Sequence, residues 1–217
     1  MDALIFDIDG TLIQSADIDD ALYRASVTAV LGAVRFRECW SDYERVTDSG
    51  ILAQVLEDND LTHTPDRTAT IQAHFVRALE AHVAEHGPFR EMPGARAFLA
   101  HHLESPEHGV AIATGGWRAS ALLKLRSAGF ETTRIPIATS DDDHDRSRIM
   151  QAALEKLGRS CESVTYYGDG TWDRDACREL GWNFVPVGRA LNGLESFSVS
   201  RSLTGDECSK PEPVNEP

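Results

Sequence analysis

An apolar run at residues 3–6 ends abruptly at Asp7, which is followed by Asp9, Gly10 and Thr11. A short, continuous apolar run is typical of a strand that is buried on both faces, as in a parallel sheet. Carboxylates directly after such a strand lie at its carboxyl end, where the ligand crevice of an open parallel sheet is found. The first residues of the chain therefore predict a parallel sheet with acidic groups at its binding edge.

The second half of the sequence alternates between short apolar runs and segments with helical periodicity. The predicted strands lie near residues 110–113, 135–138, 163–167 and 183–187, and the predicted helices near residues 95–103, 118–128, 146–157 and 173–180. This alternation predicts an α/β fold, in which a parallel sheet lies between two layers of helices in a three-layer, Rossmann-like core.

The segment between the first strand and this block has a different pattern. Its apolar residues recur at three- and four-residue steps, which predicts three or four helices and no strand. We therefore expect a core made of residues 1–15 and 88–197, interrupted by a helical insert at residues 16–87. The last segment, residues 198–217, is rich in Ser, Glu and Pro and has little to bury, so it is predicted to be a disordered tail.

The composition excludes several classes of partner. The net charge of −14 argues against nucleic acid and against an anionic membrane, because both would repel most of the surface.

No apolar segment approaches the roughly 20 residues that span a bilayer. The four cysteines lack metal-site spacing, and the amino terminus lacks the pattern of a secretory signal. We expect a soluble, cytoplasmic protein.

Four short motifs, in order along the chain, resemble those of the haloacid dehalogenase superfamily. Asp7 with Asp9 resembles motif I, Thr114 motif II, an arginine motif III, and Asp169 with Asp173 motif IV. One DxD pair arises readily by chance in an acidic protein, whereas four motifs at predicted strand ends and helix starts are specific. The resemblance covers nearly the whole chain and implies a Rossmann-like core with an inserted helical cap.

The resemblance gives the two carboxylates of motif I separate roles. Asp7 is expected to attack phosphorus and form an aspartyl phosphate. Asp9, two residues on and on the same side of an extended strand, is expected to protonate the leaving alcohol and later to activate water. Gly10 would let the chain turn sharply beneath the substrate.

Carboxylates that face a phosphate dianion need a cation to offset their charge, so the motifs imply Mg²⁺ as cofactor. The expected ligands are a carboxylate oxygen of Asp7, the backbone carbonyl of Asp9 and the carboxylate of Asp169. Asp173 is expected to hold a water molecule bound to the metal.

The remaining core motifs are expected to hold the phosphoryl group. The hydroxyl of Thr114 would donate to it, and the backbone amides of Gly115 and Gly116 would approach it closely. Motif III requires a cation, which is either Arg146 or Arg148. The family spacing favours Arg146.

Residues near the predicted cap are candidates for contact with the leaving group. Thr47 and Asp48 lie in a polar break between cap helices, where they either face the substrate or only begin the next helix. Arg118 follows motif II and is a third candidate. Because residues 16–87 contain no lysine, the phosphonate hydrolases that use a cap lysine are excluded.

The sequence therefore predicts a hydrolase, similar to phosphoglycolate phosphatases, that cleaves a small phosphate monoester. The partner would be a small phosphorylated metabolite, and the protein a monomer or homodimer. A sugar-phosphate phosphomutase of the same superfamily shares the core motifs and stays open as an alternative. So does a metabolite-binding module without catalysis.

Overall fold

The computed structural model describes residues 1–199. Five strands alternate with seven α-helices and one 3₁₀ helix within this part of the chain. In order, the elements are β1 (Asp2–Phe6), α1 (Ala16–Leu31), the 3₁₀ helix (Trp40–Asp42), α2 (Asp48–Asp58), α3 (Pro65–His86), α4 (Ala95–Glu104), β2 (His108–Ala113), α5 (Arg118–Ser127), β3 (Ile137–Ala138), α6 (Arg146–Lys156), β4 (Ser163–Gly168), α7 (Thr171–Leu180) and β5 (Asn183–Pro186).

The five strands form one parallel sheet in the order β3-β2-β1-β4-β5, with β1 in the centre. Phe6 at the end of β1 lies opposite Ile112 of β2 and Tyr167 of β4. The amide of Asp7 continues the ladder by donating to the carbonyl of Tyr167 at 2.9 Å. The three chain segments that follow these strands therefore leave the sheet at the same edge, and the predicted Rossmann-like α/β fold is confirmed.

The central strand is buried on both faces, as its continuous apolar run predicts. Leu4 and Phe6 belong to a large apolar cluster that also contains α4, α5 and the helical insert. Ile5 points to the opposite face, where Ile149 of α6 and Cys177 of α7 pack. Helices thus cover both faces, and burial of this kind stabilises at roughly 25 cal/mol per Å² of apolar surface.

Helices α1, α2 and α3 form the inserted cap, and an aromatic contact joins them to the core. The indole of Trp117, next to α5, lies 5.4 Å from the ring of Tyr23 and 6.1 Å from that of Phe75. Trp117 is only 1% exposed, so it packs between the two parts of the molecule.

The amino terminus of α2 is hydrogen-bonded to the loops at the carboxyl edge of the sheet. The amide of Asp48 donates to the carbonyl of Gly115 at 2.8 Å, and the hydroxyl of Ser49 donates to that of Ser140 at 2.9 Å. These bonds fix the start of α2 over the end of β2, which closes the cap on the core.

Several element bounds differ from the sequence prediction. Strand β3 has only two residues, because its predicted first half contains Pro136, which has no N–H for a ladder. Helix α7 begins at Thr171 rather than Asp173, since the carboxylate of Asp173 accepts from the amide of Gly170 at 3.1 Å and so stabilises an earlier start. Strand β2 begins at His108, two residues before the predicted start.

Within residues 1–199, no helix is long and apolar enough to cross a membrane. The predicted tail, apart from its first two residues, lies outside the described part of the chain. The residue that precedes it, Phe197, is 6% exposed and packs against the rings of Phe6, Phe98 and Tyr167. The core therefore extends to Phe197.

We predict that Phe197→Ala lowers the free energy of unfolding by about 3 kcal/mol or more, the usual range for a buried phenylalanine. Urea denaturation followed by circular dichroism measures the change. The matched control is Val199→Ala, since that side chain is exposed and its truncation should change stability by less than about 0.5 kcal/mol. Equal stability of the two variants would contradict a core that extends to Phe197.

Candidate active site

A cavity of about 150 Å³ lies at the carboxyl edge of the sheet, between the core and the cap. Its walls come from the segments after β1, β2 and β4, from the start of α6 and from the cap. Six aspartates and one arginine line it, together with apolar and aromatic groups of the cap. The charged residues of the lining are Asp7, Asp9, Asp19, Asp20, Asp48, Asp169 and Arg146.

Asp7 is 4% exposed and lies beside Arg146. The guanidinium donates from Nη1 to Oδ1 of Asp7 at 3.2 Å, and its Nε lies 3.4 Å from Oδ1 of Asp173. Burial raises the pKa of Asp7 well above its usual range, and the charge of Arg146 opposes this shift. Arg148 instead is 71% exposed in its side chain and faces Asp143, so the structure places Arg146 at the site.

Oxygen atoms of Asp7, Asp169 and Asp173 lie within 4.8 Å of one another. Burial, and then the charges of Asp173 and Asp9, raise the pKa of Asp169 to about 7. Oδ1 of Asp173 is buried and has no hydrogen-bond partner among residues 1–199. Close, buried carboxylates with an unsatisfied oxygen are the donor set that hard divalent cations prefer, so these residues fit such a metal. The sequence also predicts the backbone carbonyl of Asp9 as a metal ligand, and Asp9 lies two residues after Asp7.

Two glycines allow the charged groups to approach so closely. Gly10 has a φ of +74°, and a Cβ at that position would collide with the carboxylate of Asp169. A Cβ at Gly115 would lie 2.8 Å from Nη2 of Arg146. The position of Gly10 therefore requires a residue without a side chain, and a Cβ at Gly115 would force the guanidinium of Arg146 to shift.

Thr114 follows β2 and is 1% exposed. It lines the cavity together with Gly115 and Gly116, and its hydroxyl oxygen accepts from the amide of Gly116 at 3.1 Å. The structure thus brings the motif II residues to the cavity that holds Asp7.

Thr47 and Asp48 also line the cavity, and they begin α2 at the same time. The hydroxyl of Thr47 accepts from the amide of Gly50 at 3.1 Å and donates to the carbonyl of His144 at 2.8 Å. Asp48 accepts from the amide of Trp117 at 2.9 Å. Thr47 and Asp48 therefore begin α2 and also line the cavity, and their contact with a substrate stays a prediction.

A family model described as haloacid dehalogenase-like hydrolase matches residues 1–181. The chain belongs to this family. No curated protein sequence matched it.

Solved structures with the same architecture share little sequence with this haloacid dehalogenase-like hydrolase. A hydrolase from Pseudomonas syringae is 22% identical, with a TM-score of 0.66 over 85% of this chain and 83% of that one. CbbY from Rhodobacter sphaeroides, solved with phosphate, is 22% identical, with a TM-score of 0.64 over 89% and 87%. A β-phosphoglucomutase from Clostridium difficile is 15% identical, with a TM-score of 0.67 over 88% and 86%. These similarities show the shared fold.

The structure does not bring Arg118 to the cavity of this hydrolase, which corrects the expected substrate contact. Its guanidinium donates to Asp142 at 2.7 Å and to the carbonyl of Ile137 at 3.3 Å. From the first turn of α5 the side chain reaches the loop after β3 and does not line the cavity.

Sequence reasoning missed Lys124, whose side chain is 0% exposed. Its ammonium donates to both carboxylate oxygens of Asp9, at 2.7 and 2.6 Å, and to Asp19 at 2.5 Å. Burial lowers the pKa of Lys124, but the charges of Asp19 and Asp9 outweigh it and raise this pKa above its usual value. The helical spacing of α5 groups Lys124 with Ala121 and Leu125 and so indicates a buried position, but it does not identify the partners of the ammonium.

The pKa of about 7 at Asp169 has a consequence for stability. The folded protein binds this proton more tightly than the unfolded chain, whose aspartate pKa is near 3.8. Without metal, this group should therefore lower the free energy of unfolding as the pH rises from about 4 to about 7. The pKa of Asp19, raised to about 6 by burial and then by the charge of Asp9, acts in the same direction.

We predict that a divalent cation raises the Tm more at about pH 8 than at about pH 5, because it offsets charge that is fully developed only at the higher pH. Thermal denaturation with EDTA or with excess cation at both pH values measures the difference. Asp169→Asn should remove most of this pH dependence. The same Tm shift at both pH values would show that the cation binds elsewhere.

Proposed function

We propose that the chain is a Mg²⁺-dependent phosphatase that hydrolyses a small phosphate monoester through an aspartyl phosphate. The observation that supports this most directly is the arrangement around Asp7. A buried carboxylate at the end of the central strand lines a small cavity, beside the guanidinium of Arg146 and close to the carboxylates of Asp169 and Asp173.

In this proposal Asp7 attacks phosphorus in line with the leaving oxygen. Arg146 holds the carboxylate in place and offsets part of its negative charge. Thr114, with the amides of Gly115 and Gly116, donates to the phosphoryl oxygens. Mg²⁺, when bound by Asp7 and Asp169, offsets the negative charge of the carboxylates and the phosphate.

Asp9 is proposed as the acid and base of the two steps. Its carboxylate lines the same cavity as Asp7 and is 19% exposed, so it can contact both a leaving alcohol and a water molecule. It would first give a proton to the leaving oxygen and then take one from the water that cleaves the aspartyl phosphate. The cap covers the cavity and limits the access of bulk water.

We predict that Asp7→Asn abolishes Mg²⁺-dependent phosphate release, with a loss of about three orders of magnitude or more. Phosphate release from a panel of small monoesters, with Mg²⁺ and with chelator, measures it. The matched control is Asp175→Asn, because that carboxylate lies on α7 close to the site but is 57% exposed and pairs with Arg178. It should change turnover less than about twofold.

Activity that survives Asp7→Asn would rule out Asp7 as nucleophile. Phosphoryl transfer to an added sugar phosphate in excess of phosphate release would favour a phosphomutase. Binding of a phosphate ester without turnover by the wild type would favour a non-catalytic module.

The charges of the cavity also limit the leaving group. Arg146 is the one cationic residue of the lining within residues 1–199, and it already pairs with Asp7 and Asp173. On the cap side the lining carries Asp19, Asp20 and Asp48, and burial raises the pKa of Asp48 well above its usual range, which reduces its charge. A second anionic group on the substrate would lie near these carboxylates without a free cation. We therefore propose that the leaving alcohol is neutral or positively charged.

We predict that 2-hydroxyethyl phosphate is a better substrate than phosphoglycolate, which has nearly the same size but carries a carboxylate. The ratio of kcat/KM should be at least about tenfold, which corresponds to about 1.4 kcal/mol of repulsion. A preference for phosphoglycolate would contradict the assignment and indicate an unrecognised anion site.

A further inference from the structure

Lys124 joins the core to the cap inside the molecule. It belongs to α5 of the core, whereas its partner Asp19 lies in the first turn of α1, the first cap helix. Its other partner, Asp9, follows the central strand. The ammonium makes three hydrogen bonds of 2.5–2.7 Å to these two carboxylates.

Both carboxylate oxygens of Asp9 are held by these contacts. Oδ1 accepts from Lys124 and from the hydroxyl of Ser15, at 2.7 and 2.5 Å, and Oδ2 accepts from Lys124 at 2.6 Å. Asp9 nevertheless lines the cavity. Its carboxylate is therefore fixed in orientation while one side still faces the space where a leaving group would lie.

A purely structural reason for a lysine at this position is weak. Burying an ammonium costs several kcal/mol, and replacing a buried ion pair by apolar groups is often neutral or stabilising. The other buried residues of α5 are Ser120, Ala121 and Leu125, and none of them is charged. The ammonium of Lys124 is also directed at the one carboxylate that the proposed chemistry uses to move protons.

We propose that Lys124 is a positioning residue that orients Asp9 toward the leaving group, and that Asp19 of the closed cap fixes Lys124 in turn. This inference rests on the proposed role of Asp9. Lys124 does not touch the substrate, since it does not line the cavity. It acts by fixing the direction of the Asp9 carboxyl group. When one oxygen carries the proton, Lys124 stays bound to the other, so that the O–H faces the leaving oxygen as the P–O bond breaks.

Lys124→Met tests the proposal, because methionine fills similar space without the charge. The readout is a rapid-mixing experiment with two substrates. With p-nitrophenyl phosphate, whose leaving group needs no proton, the variant should release one equivalent of nitrophenol in a fast burst and then turn over slowly. With an alkyl phosphate the burst should vanish and kcat should fall by about 100-fold, the usual size of a lost acid/base contribution.

Asp9→Asn separates this inference from the proposed function. If Asp9 is the acid and base, Asp9→Asn shows the same dependence on the leaving group, and adding Lys124→Met to it causes little further loss. If the loss in Asp9→Asn does not depend on the leaving group, the proposed role of Asp9 fails. If it does depend on the leaving group in Asp9→Asn but not in folded Lys124→Met, only the inference about Lys124 fails.

Two further variants keep the test decisive. Lys156→Met is the matched control, because Lys156 pairs with Asp142 away from the cavity and its loss should leave both substrates unaffected. Asp19→Asn removes the anchor of Lys124 and covers the case in which Lys124→Met does not fold. It should reduce alkyl phosphate turnover about tenfold and retain the nitrophenol burst. Equal losses on both substrates would overturn the proposal.

Discussion

The site depends on keeping several carboxylates close together in a buried place. Asp7, Asp169 and Asp173 would repel one another strongly, and Arg146 is the cationic residue among residues 1–199 that offsets this repulsion. Its guanidinium is planar and stays charged, so it can face two carboxylates at once, which a lysine ammonium would do with less geometric control. The glycine at position 115, the start of α6 and the parallel sheet together allow this guanidinium to lie next to Asp7.

On the cap side, a second buried cation offsets a second pair of close carboxylates. Lys124 offsets Asp9 and Asp19 as Arg146 offsets Asp7 and Asp173, so each member of the DxD pair has its own cation. The charge clusters around Arg146 and Lys124 differ in the parts of the molecule that they connect. The two carboxylates that face Arg146 both belong to the core, whereas Lys124 connects Asp9 of the core with Asp19 of the cap. Closure of the cap and organisation of Asp9 are therefore parts of one charge network.

The sequence allowed the fold and most of the core site to be predicted, because both depend on local patterns. Apolar runs mark the strands, and the parallel arrangement brings Asp7, Thr114 and Asp169 to one edge. Side-chain directions were harder to predict. Arg118 follows motif II in sequence but turns to the loop after β3, and Lys124 meets partners 115 and 105 residues away. Long-range pairings of this kind leave almost no trace in a single sequence.

The contact between Lys124 and Asp19 has a consequence for how such a protein changes over evolutionary time or in the laboratory. The cap enters and leaves the core at the edge of the sheet, so a different helical insert could be grafted there to change substrate selection. The graft would leave Lys124 behind in the core. Unless the new insert places an acidic group where Asp19 stands, a buried ammonium loses one of its two partners. A new cap therefore needs an acidic residue at the position of Asp19 to match Lys124 of the core.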